Sequence, residues 1–85
     1  MDNVHEAITN HSKKQHQLVK TFIDLEGKRE AFIEEAVHLC KQNKPYMVER
    51  INVITKEMNE LAQNGIVPVR KYVTEEMVRE YALRF

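Results

Sequence analysis

The residues of this chain with the widest chemical reach are four histidines, one cysteine and one serine. His5, His11 and His16 follow one another at gaps of six and five, whereas chelation from one helix needs three or four. Glu35-Ala36-Val37-His38 is a sharper lead. Helical bundles hold carboxylate-bridged metal pairs with two Glu-x-x-His copies and two further glutamates. One copy is present, so a metal pair here requires a dimer, with Glu57 or Glu60 as further ligands. On a helical wheel with Phe32 at zero, the apolar arc runs from about −20° to about +140°. Glu35 falls near about −60° and His38 near about −120°, outside that arc. Both then face solvent as a weak pair one turn apart. No metal or other cofactor is expected, and Glu35 and His38 are the ligands to check.

Cys40 has no histidine at a local nucleophile–base spacing and lies on an apolar line, which reads as a buried, inert thiol. Gly27 and Gly65 are too far apart to form a phosphate-cradling loop, and Ser12 stands in no Gly-x-Ser-x-Gly turn. The chain reads as a non-enzyme. Lys13, Lys14 and Lys20 make a mildly basic region that Arg70 and Lys71 could join. However, Lys+Arg and Asp+Glu number 13 each. Zero net charge removes the general phosphate attraction of nucleic-acid binders. Nucleic acid is therefore an unfavoured partner, and a weak RNA contact through that patch is the third reading.

Helices must position all of these groups. Val4, Ile8, His11, Gln15, Leu18, Phe22, Leu25, Arg29, Phe32, Ala36 and Leu39 step by four and three, the pattern of a heptad seam. Val19, Ile23, Ile33, Val37 and Cys40 lie beside it and widen the apolar face to about 160°. Asn3 with Glu6 resembles a capping box. The first helix is predicted at 3–42, ended by Asn43-Lys44-Pro45. The second is predicted at 45–64, with Pro45 as its first residue and a left-handed cap at Gly65. Residues 65–73 read as an extended linker, since Pro68 and three valines disfavour helix. Thr74 caps a third helix at 74–84, with Val73 and Val78 stapling across the cap. The fold class is all-α: a long antiparallel hairpin with a short third helix, in one domain over 1–85.

Length creates a conflict. The first helix should reach about 60 Å and the second only about 27 Å. A dimeric bundle resolves it, with Leu18, Phe22, Leu25, Arg29, Phe32, Ile33 and Leu39 as the interface. Arg29 and Gln15 on the seam would then fix register, or Arg29 would simply carry its charge to the surface. The function expected is that of an interaction or regulatory protein using an apolar helical face, as a homodimer or with a protein partner. A dimeric di-metal protein built on Glu35 and His38 is the alternative.

The single cysteine points to a reducing cytoplasm, and no export signal or membrane-length apolar run is seen. The stretch Gly65-Ile66-Val67-Pro68-Val69-Arg70-Lys71-Tyr72-Val73-Thr74-Glu75-Glu76-Met77-Val78 resembles a family of short, uncharacterised helical proteins. These are cytoplasmic proteins of spore-forming Gram-positive bacteria, and the opening Asn3-Val4-His5-Glu6-Ala7-Ile8 is similar too. The resemblance implies no reaction, cofactor or partner. Helical-hairpin phosphorelay regulators occur in such bacteria, but their Ser-Gln-Glu-Leu-Asp motif is absent.

Overall fold

Steps of three and four with few breakers make one helix of the first half of the chain. The computed structural model describes the backbone of residues 2–85 and the side chains of residues 13–85. Helix α1 spans Asp2–Lys41 and continues through Gly27, which is exposed. Forty residues give a rod of about 60 Å, and the molecule measures 63 × 20 × 17 Å. Its radius of gyration is 17.5 Å, against about 12 Å for a compact chain of this length. The rod sets the shape. The Asn3–Glu6 cap and the seam positions Val4, Ile8 and His11 concern side chains outside those described.

α1 ends in two carbonyl-satisfying bonds. Asn43 takes the left-handed conformation at φ 58°. Its N–H donates to Cys40 O at 3.0 Å, and that of Lys44 donates to Leu39 O at 2.9 Å. This is the Schellman arrangement, with Asn43 where glycine is commonest.

The proline signal places the start of the second helix at Pro45; the structure places it at Glu49. Helix α2 spans Glu49–Ala62. Residues 44–47 stay non-helical, and Tyr46 uses that path to donate from its hydroxyl to Glu75 O at 2.9 Å. Tyr46 and Val48 also pack on a buried cluster. Tertiary anchoring of these two side chains outweighs the preference of proline for a first helical turn. Val48 caps α2 without a side-chain bond, its carbonyl accepting from Asn52 N at 3.0 Å. The shortened helix is about 21 Å long.

α2 runs antiparallel to α1, and two clusters mark the ends of their contact. Ile51 joins Ala36 and Val37 at one end. Met58 and Ala62 join Phe22 at the other. Gly65, at φ 75°, turns the chain where an added Cβ would be strained. The linker then returns along both helices, with Val67 in the Phe22 cluster and Val73 in the Ala36 cluster. Helix α3, Glu75–Arg84, begins at Thr74, whose Oγ1 accepts from Met77 N at 3.1 Å. Val73 and Val78 are buried together, as a staple requires. The described residues form three helices and no strand, an all-α fold.

Candidate functional site

The linker has no strand or helix to satisfy its backbone, so side chains do it. Asn59 donates from Nδ2 to Arg70 O at 3.0 Å and accepts from Arg70 N at 2.8 Å. Asn52 does the same for Val73, at 2.9 Å to its carbonyl and 2.8 Å from its amide. The two asparagines stand seven residues apart, about 10.5 Å along α2. Arg70 and Val73 are three apart, about 9.3 Å in a polyproline II chain. Burial supports that period. Val67 and Val73 are buried with Arg70 half-buried, whereas Ile66, Val69 and Tyr72 are exposed. Three, not two, is the repeat of this extended segment.

Arg29 completes the attachment. Its Nε donates to Thr55 Oγ1 at 2.9 Å and its Nη2 to Lys71 O at 2.8 Å. Thr55, fully buried, donates a hydrogen bond from its own hydroxyl to Ile51 O at 2.9 Å. One guanidinium thus ties α1, α2 and the linker. Burial first, and then the nearby Arg70, lowers the Arg29 pKa, with Glu26 and Glu30 opposing. It stays charged. Arg70 donates from Nε and Nη2 to Glu26 Oε1 and lies 5.5 Å over the Phe22 ring.

These contacts relocate most of the residues read from the sequence as a surface between copies. Phe22 is buried within the chain; Leu18, Leu25, Phe32 and Ile33 pack against the two intrachain clusters; Leu39 is half-buried. Arg29, the seam charge, has its partners in its own chain. The returning linker and α3 add cover to the α1 seam from Leu18 to Cys40, while Val19 and Ile23 beside it stay exposed. Gln15 is exposed and takes part in an interaction of its own.

Glu35 and His38 are both exposed, as their wheel positions imply. His38 Nε2 lies 3.1 Å from Gln42 Nε2. Glu57 and Glu60 are exposed on α2, and among the described residues no three His, Cys, Asp or Glu side chains are grouped to hold a metal. His16 is exposed; the side chains of His5 and His11 are outside those described. Cys40 is half-buried beside Tyr46 rather than beside a histidine. Burial and then that thiol raise the Tyr46 pKa. Of the basic group, Lys13, Lys14, Lys20 and Lys71 are exposed, but Arg70 is neutralised by Glu26.

Two surface features have no counterpart in the sequence reading. A cleft of about 190 Å³ opens between α1 and the start of α2, with Phe32, Glu35, Leu39, Tyr46, Met47 and Arg50 among its walls. The Arg50 guanidinium lies 5.9 Å over the Phe32 ring, and Met47 is 63% exposed. On α3 and its C-cap, Met77, Tyr81 and Phe85 follow one another at steps of four and are 42%, 50% and 74% exposed. The Tyr81 and Phe85 rings are 4.8 Å apart. Glu80 and Arg84 frame this ledge. Its signal in the sequence was a four-residue aromatic step, but Val78 and Ala82 beside it left open which face would be buried. No helix among the described residues is long and apolar enough to cross a membrane.

The chain is similar to other proteins over nearly its whole length. Residues 2–84 match the model of the family described as "Protein of unknown function (DUF2533)". It is 54% identical over 84 residues to "Uncharacterized protein YpbS" of Bacillus subtilis (strain 168), covering 99% of both chains. No solved structure matches it. With its three helices, its side-chain-held linker and this match along residues 2–84, the chain belongs to the DUF2533 family.

Proposed function

We propose that this chain is a non-enzymatic, cytoplasmic protein-interaction protein that works through an apolar helical face. The observation that carries the reading is the exposed stripe of Met77 and Tyr81 on α3 with Phe85 at its C-cap. Large apolar side chains scattered singly on a surface are ordinary, but a contiguous stripe framed by charges is the form of a contact site. Aromatic and methionine side chains are also those enriched at the centres of interfaces. The polar residues with the most elaborate bonding support a scaffold role. Arg29, Asn52, Thr55, Asn59 and Arg70 hold the linker between its two buried clusters. Because the α1 seam from Leu18 to Cys40 packs within the chain, the proposed contact face is the one on α3, although Val19 and Ile23 beside that seam are exposed.

A photo-crosslinking residue at Tyr81, introduced in cells, tests this against the same residue at exposed Glu57 on α2. The expected result is a discrete adduct from position 81, either at twice the chain's own mass or at a foreign mass. Absence of an adduct at 81, or an identical pattern from 57, would refute the reading.

A further inference from the structure

We infer that the occupant of the α1–α2 cleft is helix α3 of a second copy of this chain, the two copies docking reciprocally. The inference rests on the interaction reading above and names its partner. α3 cannot enter its own cleft, because Val78 and Ala82 hold it on the Ala36 cluster with the stripe turned away. Cleft and stripe nevertheless lie at the same end of the molecule. Ala36 and Tyr46 line the cleft, Val78 shares a cluster with Ala36, and Tyr46 binds the first residue of α3 through Glu75 O. A two-fold axis at that end lets each copy give its stripe and receive the other's, the isologous contact commonest among oligomers.

Charge agrees with shape. The cleft carries Arg50 and Glu35 at its walls, and the stripe is flanked by Glu80 and Arg84. Among the described residues the one ion pair is Arg70–Glu26, so none of these four has a salt-bridge partner within the chain, although Arg50 lies over the Phe32 ring. Glu80 and Arg84 stand four residues apart, about 6 Å along α3. A helix laid in the cleft presents Glu80 to Arg50 and Arg84 to Glu35, with Tyr81 and Phe85 directed at the apolar walls. Opposed charges of this kind fix register and partner more than they add affinity.

Sedimentation of the purified chain, from low micromolar to near millimolar concentration, tests the inference. The wild type is expected to dimerise. Phe85→Ala and Arg50→Glu, both at exposed positions, should each weaken the dimer at least about tenfold, with helical content by circular dichroism unchanged. The charge swap Arg50→Glu with Glu80→Arg should restore it. A monomer throughout overturns the inference, as does a dimer indifferent to both single variants, or a swap that restores nothing. A monomer here together with a foreign adduct at Tyr81 leaves the interaction reading standing with a different partner.

Discussion

Asn52 and Asn59 stand two helical turns apart on α2, and each grips one linker residue by both its amide and its carbonyl. An asparagine side chain carries an acceptor oxygen beside a donor NH2, so it can meet a residue's N–H and C=O together as a peptide group does. Two of them therefore replace a neighbouring strand.

Removing one grip has a defined cost. Asn52→Ala should lower stability by about 2 kcal/mol, two bonds at about 1 kcal/mol each. Asn52→Asp is the sharper test. It keeps an acceptor for Val73 N–H but sets a second oxygen against Val73 O, so it should cost at least as much at neutral pH. Urea unfolding midpoints measure both, and an aspartate as stable as the wild type would disprove the paired grip.

Arg29 and Thr55 form the second attachment. Thr55→Val leaves the Arg29 Nε without its acceptor and should cost about 1–3 kcal/mol. Arg29→Leu should destabilise the chain while leaving its mass in solution unchanged, because the Arg29 partners Thr55 and Lys71 belong to the same chain. A changed oligomeric size in that variant would return Arg29 to a role between copies.

Gly27 offers a gain. It lies inside α1, and an added Cβ would meet nothing within 4 Å. Gly27→Ala should raise stability by about 1 kcal/mol, since glycine is the poorer helix former by that amount. A thermal midpoint that does not rise would show that the helix is strained or bent at this residue.

Tyr46 predicts a pH dependence. Burial and the adjacent Cys40 thiol raise its pKa above the ordinary phenol value. The unfolded chain then loses its proton first as pH rises past about 10. Stability from this group is full below that value and is lost as pH climbs through the raised folded one. Tyr46→Phe should lose the bond to Glu75 O and, with it, this part of the alkaline decline. Equal alkaline slopes in both proteins would remove Tyr46 as the cause.

Much of the helical scaffold was legible because helices are local. The three-four stripe of α1, the Thr74 cap and the Gly65 turn involve residues within a few positions of each other, and sequence spacing reports them directly. The start of α2 was not legible. Pro45 carries a true local preference, overruled by Tyr46 reaching a carbonyl 29 residues away. Nor was the clamp, since Asn52 and Asn59 bond across 21 and 11 residues. A polar residue beside an apolar stripe carries no mark of what it will meet.

By itself, the sequence determined an all-α chain built on one long helix, with a break, a shorter helix, an extended return and a capped third helix. Periodicity and caps depend on neighbours along the chain, so they survive without knowledge of the fold. Tertiary structure alone decided which apolar face was consumed. Helix α2, the linker and α3 together covered the seam of α1 from Leu18 to Cys40, and the stripe Met77, Tyr81 and Phe85 was left to solvent. Burial is a competition among all elements for the same surface, and its outcome depends on distances between residues far apart in sequence.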